Sequence, residues 1–211
     1  MRFEDELEDV LPVDLPNRDA LITNSTRHLE LILEANRSFN LTRILNLRDA
    51  AIKHVLDSVL PWKLFANSDT VLDAGTGAGF PGLPLALVLP GNRFILSESV
   101  QKKARFVEAA LVQLSVPNVE VSSKRAEEIL LDRKVDLVTA RAVAPVARAI
   151  ILFGPALRRG ARALLYKGPD AEIEIAEANT EAQKHRIRMR IVERYQLPDA
   201  MGTRTIVELS N

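Results

Sequence analysis

Two patterns of hydrophobic and polar positions divide the chain. In the first part the apolar residues recur at helical spacing, and no segment alternates in the way that a half-buried strand does. This pattern predicts a short or frayed helical arm over 1–19, a helix over 18–38 and another over 48–60. Pro61 ends the last of these helices. Residues 1–65 are therefore predicted to form an N-terminal helical extension.

From residue 66 onward, short apolar runs alternate with helix-length segments. The predicted strands cover 70–73, 93–97, 118–122, 135–139 and 161–166, and the predicted helices cover 82–89, 101–114, 125–131 and 145–157. Strands separated by helices indicate parallel crossover units. Two further strands, 186–196 and 203–209, flank a turn-forming segment and indicate an antiparallel hairpin at the sheet edge. The pattern predicts one α/β domain over 66–211, with a mostly parallel seven-stranded sheet.

Composition excludes several classes of function. The 211 residues include no cysteine, which excludes disulfide frameworks, thiolate metal sites and a cysteine nucleophile. The histidines His28, His54 and His185 lie too far apart in the sequence to predict a metal site. No apolar run approaches the roughly 20 residues of a membrane helix, and the acidic start of the chain is unlike a secretory signal. We expect a soluble, cytoplasmic, monomeric protein without a membrane partner.

The most specific motif is a glycine-rich loop that follows the first predicted strand. It reads Asp73-Ala74-Gly75-Thr76-Gly77-Ala78-Gly79-Phe80-Pro81-Gly82. Its glycines allow the backbone to approach a ligand closely. The dinucleotide fingerprint requires a small residue at the position of Phe80, which argues against a nicotinamide cofactor. An acid at the head of the loop suits a ligand that carries an ammonium and a sulfonium. The motif is typical of Rossmann-like class I S-adenosylmethionine-dependent methyltransferases.

Other acids support a nucleotide-like cofactor. Glu98 ends the second predicted strand, where a carboxylate accepts both hydroxyls of a ribose, in NAD as well as in S-adenosylmethionine. The loop after the third strand, 124–128, faces the adenine in this fold, although Glu127 also suits the first turn of a helix on electrostatic grounds alone. On these physical grounds we predict cofactor contacts at Asp73, Gly77, Gly79 and Glu98.

The sequence also restricts the chemistry of methyl transfer. Methylation of a pyrimidine carbon needs a cysteine, and the fourth strand is not followed by the motif typical of exocyclic-amine methylation. A nucleophile with a free lone pair, such as guanine N7, needs positioning and no general base. Arg141, at the end of that strand, is placed to hold the methionine carboxylate or to donate to guanine O6, with a plain surface arginine as the alternative.

These motifs resemble those of the bacterial family of small-subunit ribosomal RNA guanine-N7 methyltransferase G, also called glucose-inhibited division protein B. The resemblance covers about residues 31–209. Besides the glycine motif it is carried by Phe39-Asn40-Leu41-Thr42, His54-Val55-Leu56-Asp57-Ser58, Arg125-Ala126-Glu127-Glu128, Arg141-Ala142 and Tyr166-Lys167-Gly168. It implies methyl transfer from S-adenosyl-L-methionine to N7 of a guanine in 16S ribosomal RNA (guanine 527 in the 530 loop), within the small subunit or an assembly intermediate. It implies cofactor contacts at Gly75, Phe80, Ala126, Glu127 and Arg141.

Two further sets of residues are candidates for the site. The candidates for catalysis are Arg141, Asn40, His54 and Ser58. His54 and Ser58 share a helix face with Asp57, so this face either borders the site or has a structural role; Asn40 equally suits a turn. The candidates for contacts with RNA are Lys102, Lys103, Arg105, Lys124, Arg125, Arg148 and Lys167. Residues 73–170 hold 14 basic and 9 acidic residues, so an anionic partner is favoured there.

Three other functions remain open on the residues alone. They are a methyltransferase of another RNA, a protein or a small molecule, a nicotinamide-dependent oxidoreductase, and a binding protein without catalysis. A tryptophan-quench titration with both cofactors separates the second from the first, because Trp62 is the sole tryptophan.

Overall fold

The computed structural model describes residues 2–211, and in its N-terminal part helices are joined by loops, with no strand over 2–69. The segments are α1 (Phe3–Val10), α2 (Arg18–Asn36), α3 (Leu47–Ala50), a π-helical segment (Ala51–Leu56), α4 (Asp57–Val59) and a 3₁₀ turn (Trp62–Leu64). The helix predicted over 48–60 is therefore a continuous stretch in three parts. The predicted arm contains a short helix whose apolar residues, Phe3 and Leu7, are buried. Its burial stabilises a helix that is too short to persist alone.

Seven strands form one sheet, as predicted. They are β1 (Thr70–Ala74), β2 (Arg93–Ser97), β3 (Val119–Ser122), β4 (Leu137–Arg141), β5 (Arg162–Lys167), β6 (Arg188–Gln196) and β7 (Thr203–Ser210). Their order is β3-β2-β1-β4-β5-β7-β6. The first five strands are parallel, and β7 runs antiparallel to both β5 and β6. The predicted parallel sheet with an antiparallel C-terminal hairpin is confirmed.

Five more helices cover the sheet. They are α5 (Gly82–Val88), α6 (Gln101–Leu114), α7 (Ala126–Asp132), α8 (Val146–Leu157) and α9 (Ala171–His185). The sequence analysis predicted the first four and missed α9. The buried residues of α9 are Ala171, Ala178 and Ala182, whereas its Ile173 is exposed. A stripe of alanines gives no hydrophobic periodicity, which explains why this helix was not predicted.

Each face of the sheet has its own hydrophobic core. Successive strand residues point to opposite faces, so Val71 of β1 belongs to one core and Leu72 to the other. The first core joins the N-terminal helices to α5 and α6, and the second lies under α7, α8 and α9. The extension over 1–65 therefore shares a core with the sheet, and a domain boundary at residue 65 stays a prediction.

The topology places a crevice between the carboxyl ends of β1 and β4. After β1 the chain moves outward to β2 and β3, and then returns across the sheet to β4. Ligands of open α/β sheets bind where the strand order reverses in this way. The loops at this point are 75–81 after β1 and 142–145 after β4.

Two further features are absent from residues 2–211. Within this range no helix is both long and apolar enough to cross a membrane. In the same range no group of three or more histidine and acidic side chains is arranged to hold a metal ion.

Candidate active site

The glycine-rich loop has a backbone that most residues would strain. Gly75, Gly77 and Gly79 have φ angles of 68°, 63° and 105°, a region that costs residues with a Cβ about 1–2 kcal/mol. The N–H of Thr76 donates to the carbonyl of Ser97 at 3.0 Å, which ties the loop to the end of β2. The three glycines therefore let the loop curl at the carboxyl edge of the sheet.

Asp73 organises this loop from inside the protein. Its side chain is fully buried. Its Oδ2 accepts hydrogen bonds from the Thr76 hydroxyl at 2.6 Å and from the Gly82 N–H at 2.9 Å, whereas Oδ1 has no partner. Burial raises the pKa of Asp73 to about 6, although both hydrogen bonds oppose the rise. A direct contact between Asp73 and the cofactor stays a prediction.

The raised pKa of Asp73 gives a testable pH dependence. A buried acid whose folded-state pKa of about 6 exceeds its usual 3.8 destabilises the fold above pH 6, and this cost disappears as the pH falls toward 4. Asp73→Asn removes the charge and keeps the shape. The free energy of unfolding of the wild type, relative to Asp73→Asn, is therefore expected to rise by about 2 kcal/mol between pH 8 and pH 4. Urea unfolding of both proteins at several pH values measures it; a constant difference contradicts the prediction.

Glu98 joins the ends of β1 and β2. Its Oε2 accepts from the Gly77 N–H at 3.0 Å and its Oε1 from the Val100 N–H at 2.8 Å. Beside these strand ends lies a cavity of about 280 Å³, lined by Ala74, Gly75, Ser97, Ser99, Arg125, Ala126, Glu127, Val143, Ala144, Arg148, Leu152 and Phe153. The cavity brings three of the predicted cofactor residues together, namely Gly75, Ala126 and Glu127.

Phe80 ends the loop in a stack of aromatic rings. The His54 ring lies parallel to it, with centroids 4.5 Å apart and 5° between the planes. The His28 ring lies 5.0 Å from it in a tilted arrangement. Burial lowers the pKa of His54 to about 3, with a further contribution from Arg141, and burial lowers the pKa of His28 to about 4. Both histidines are therefore neutral at pH 7.

The sequence analysis did not select His28 as a site residue. It lies on the buried face of α2, between Ser25 and Leu29, and a Cβ on Gly79 would come within 3.1 Å of its Cε1 atom. The signal in the sequence was a histidine on a mainly apolar helix face, and in the structure this histidine packs against the glycine loop.

Arg141 is the last residue of β4 and lies next to the glycine loop. Its guanidinium carbon is 5.8 Å from the centroid of Phe80. Its Nη1 donates to the carbonyl of Lys53 at 2.8 Å and to Oδ2 of Asp57 at 3.0 Å. The next residue, Ala142, has a φ of 56°, a left-handed conformation that L-residues rarely adopt. Arg141 is thus a partly buried, anchored side chain rather than a plain surface arginine.

The other candidates for catalysis differ in position. The Ser58 hydroxyl is buried and donates to the carbonyl of His54 in its own helix. His54 places Nε2 3.1 Å from the Thr42 hydroxyl. Asn40 is exposed, on a loop held by Asn36, whose Oδ1 accepts from two backbone N–H groups. The His54 ring stacks on Phe80 of the glycine loop, whereas the Ser58 hydroxyl is used within its own helix. The catalytic roles of His54, Ser58 and Asn40 stay predictions.

Most of the predicted RNA-contacting residues lie on the surface. Those that are exposed are Lys102, Arg105, Lys124, Arg125 and Arg148, and Lys103 is half-buried. The ammonium of Lys102 lies 4.3 Å from the ring centroid of Phe39. Lys167 is different, because its ammonium donates to the Ala144 carbonyl and to Glu174, both at 2.7 Å. We therefore leave Lys167 out of the proposed RNA surface.

Comparisons of structure show the fold. The O-methyltransferase from Bacillus cereus in complex with SAH superimposes with a TM-score of 0.61 at 17% identity, over 99% of this chain and 96% of that one. The O-methyltransferase TomG from Streptomyces achromogenes in complex with SAM gives a TM-score of 0.58 at 20% identity, over 87% and 90%. The fold is that of a class I S-adenosylmethionine-dependent methyltransferase, as predicted.

Comparisons of sequence show the family. The family model described as rRNA small subunit methyltransferase G matches residues 22–201. The ribosomal RNA small subunit methyltransferase G of Solibacter usitatus is 61% identical over 209 residues, 99% of this chain and 100% of the relative. That of Carboxydothermus hydrogenoformans is 34% identical over 187 residues, 86% and 79%. With its glycine loop, its anchored arginine and these relatives, the chain belongs to the rRNA small subunit methyltransferase G family.

Proposed function

We propose that this protein transfers the methyl group of S-adenosylmethionine to N7 of a guanine in 16S ribosomal RNA, within the small subunit or an assembling precursor. The observation that carries the proposal is the arrangement at the carboxyl edge of the sheet. The glycine loop, Glu98 and Arg141 converge there beside the 280 Å³ cavity, while exposed basic side chains lie on the elements around it.

The residues at this edge fit the proposed cofactor. A Cβ on Gly77 would meet no protein atom within 4 Å, so the backbone there is open to a ligand. Glu98 lies beside it, and a carboxylate has lone pairs enough to accept from two backbone N–H groups and from ribose hydroxyls. Ala126 and Glu127 line the cavity, and we place the adenine beside them. Arg141 supplies positive charge for the methionine carboxylate.

The chemistry that this chain must supply is positioning. The bound cofactor supplies an electrophilic methyl group on its sulfonium. Guanine N7 carries a lone pair and no proton at neutral pH, so no side chain has to remove a proton from it. The protein then contributes by holding the two reactants in line. The neutral His54 and the exposed Asn40 are proposed to border the place of the base.

The RNA is proposed to bind through its phosphates around the mouth of the crevice. The side chains proposed for this contact are Lys102, Lys103, Arg105, Lys124, Arg125 and Arg148. The ring of Phe39 restrains the Lys102 ammonium, which lowers the entropy cost of placing it on a phosphate. Binding through several phosphates makes RNA affinity fall steeply with salt.

Methyl transfer from radiolabelled S-adenosylmethionine tests the proposed function. The substrate is small ribosomal subunits from cells that lack this enzyme, and the labelled RNA is digested to nucleosides. We expect the label in 7-methylguanosine at one site. Label in another nucleoside contradicts the N7 assignment, and label only in a protein or a small molecule contradicts the choice of RNA as substrate.

A matched pair of glycine variants tests the proposed approach of the cofactor. Gly77 and Gly160 both have positive φ angles, and a Cβ on either meets no protein atom within 4 Å. Gly160 lies before β5, at the other end of the sheet. Alanine at either position is expected to cost about 1–2 kcal/mol of folding stability.

Gly77→Ala alone is expected to weaken binding of S-adenosylhomocysteine, by about 5- to 150-fold, because its Cβ would occupy ligand space. Isothermal titration calorimetry measures the affinity of both variants. Equal affinities for Gly77→Ala and Gly160→Ala would contradict the proposed placement of the cofactor.

A further inference from the structure

Asp57 lies at the centre of a charged cluster that includes Arg141, and the proposed reaction gives Asp57 itself no role. Its side chain is 0% exposed. Its Oδ2 accepts from Nη1 of Arg141 at 3.0 Å, and Nε of Arg204 lies 3.1 Å from both carboxylate oxygens. The hydroxyl of Tyr195 lies 3.1 Å from Oδ1 and 3.0 Å from the backbone carbonyl of the same residue. The carboxylate thus joins Arg141 to two residues of the C-terminal hairpin.

Tyr195 and Arg204, the two hairpin residues, lie side by side in the sheet. Tyr195 on β6 and Arg204 on β7 are directly opposite each other in the antiparallel register, so their side chains lie on the same side of the sheet. They reach across to α4, which begins with Asp57. Neither residue is near the glycine loop in the sequence, and neither belongs to the motifs that indicate the cofactor site.

Within the described part of the chain, only one nitrogen of the Arg141 guanidinium, Nη1, is held by hydrogen bonds. Nη1 makes both of its hydrogen bonds, to Asp57 and to the Lys53 carbonyl. Within residues 2–211, Nε and Nη2 have no hydrogen-bond partner, and the side chain is 17% exposed. Because a guanidinium is planar and rigid, anchoring one nitrogen sets the direction of the remaining N–H groups.

The charges of the cluster do not cancel. Two guanidinium groups, those of Arg141 and Arg204, share the single carboxylate of Asp57. Asp57 therefore neutralises only one of the two guanidinium charges, and Arg141 is the member next to Phe80 in the glycine loop, where it also interacts with the buried Asp73. A group with two oriented N–H donors and net positive charge suits a carboxylate.

We propose that Asp57, held by Tyr195 and Arg204, is a positioning residue that orients Arg141 toward the carboxylate of the methionine part of the cofactor. The C-terminal hairpin then contributes to cofactor binding through Asp57 and Arg141. This inference rests on the cofactor assignment of the proposed function. It adds an explanation of what orients the Arg141 side chain.

A double-mutant cycle tests the positioning role. The affinity for S-adenosylhomocysteine is measured by calorimetry for the wild type, Arg204→Gln, Arg141→Ala and the double variant. Tyr195→Phe is added because it removes only the hydroxyl that contacts Asp57 and keeps the ring. Its affinity can still be measured if Arg204→Gln fails to fold. Arg190→Gln is the matched control, since it removes an exposed arginine from the same hairpin that contacts Glu208 rather than Asp57.

The cycle separates positioning from general destabilisation. Arg204→Gln is expected to weaken binding about tenfold when Arg141 is present and less than about twofold in the Arg141→Ala background. Tyr195→Phe is expected to act in the same direction with a smaller effect, and Arg190→Gln to bind like the wild type. Arg204→Lys, which keeps the charge, is expected to restore part of the affinity.

A second ligand shows whether the effect depends on the carboxylate of the cofactor. 5′-Methylthioadenosine has the nucleoside but no carboxylate, so its affinity is expected to be equal in wild type and Arg204→Gln. Equal losses of S-adenosylhomocysteine affinity with and without Arg141, or no loss in either, would overturn the proposal. These measurements use no RNA, so a failure of the RNA assay and a failure of the cycle are separate results.

Discussion

Replacing Gly82 by alanine is expected to displace the glycine loop and to destabilise the whole protein. A Cβ at this position would lie 2.2 Å from Cδ2 of Leu96 and 2.7 Å from Oδ2 of Asp73. Both side chains are completely buried, so neither has free space to move into. Overpacking costs about 1–3 kcal/mol, and disturbing the hydrogen bond from Gly82 to a carboxylate costs about 1.5–3 kcal/mol more. We expect a loss of about 3–5 kcal/mol.

The measurement is denaturant unfolding followed through the fluorescence of Trp62, the sole tryptophan. Gly91→Ala is the control, because Gly91 is exposed and its Cβ would meet no protein atom within 4 Å. The control is expected to stay within about 0.5 kcal/mol of the wild type. If Gly82→Ala unfolds at the same denaturant concentration as Gly91→Ala, the close packing of Gly82 against Asp73 does not contribute to the stability of the protein.

Replacing Arg141 by alanine is expected to reduce cofactor binding and methyl transfer more than folding. Hydrogen bonds to charged groups contribute about 1.5–3 kcal/mol, which corresponds to a rise of about 10- to 150-fold in the Kd for S-adenosylhomocysteine. Methyl transfer to RNA is expected to fall at least as much. The folded protein keeps the pairing of Asp57 with Arg204 and Tyr195, so the buried carboxylate is not left alone.

Arg141→Lys is the informative companion of this variant. A lysine keeps the charge, but it has no planar group with which to contact Asp57 and a ligand at once. It is expected to recover only part of the affinity. Calorimetry gives the binding constants and denaturant unfolding gives the stability. An alanine variant that binds like the wild type would remove Arg141 from the cofactor site.

The sheet and most helices were predictable because short apolar segments alternate with helix-length segments along the chain. Most of the parallel strands are short, mainly apolar segments between polar turns, and β2 over 93–97 and α6 over 101–114 were predicted with their observed bounds. The hairpin was predicted from its turn. The helix α9 was not, because the alanines on its buried face are only weakly hydrophobic and its Ile173 is exposed. The π-helical segment Ala51–Leu56 lies inside a predicted helix and has no sequence signal of its own.

The site was predictable where its residues are close in the sequence. The glycine loop and the acid Glu98 follow strand ends, and their position is set by local pattern. The partners of Asp57 could not be predicted, since Tyr195 and Arg204 come close to it only through the register of β6 with β7. Lys167 was proposed for RNA because it is basic, but its ion pair with Glu174 depends on how α9 packs, and α9 was the helix that the sequence did not reveal.

The distance along the chain between Asp57 and Arg204 has a consequence for synthesis on the ribosome. The two residues are 147 positions apart, and at about 5–20 residues per second the second appears about 7–30 s after the first. During that interval the carboxylate lacks its hairpin partners and cannot be buried at low cost. Nascent chains arrested before Tyr195 are therefore expected to be cut readily by protease around Asp57. Arg141 is therefore expected to become oriented only after the β6–β7 hairpin has been synthesised and has paired with Asp57.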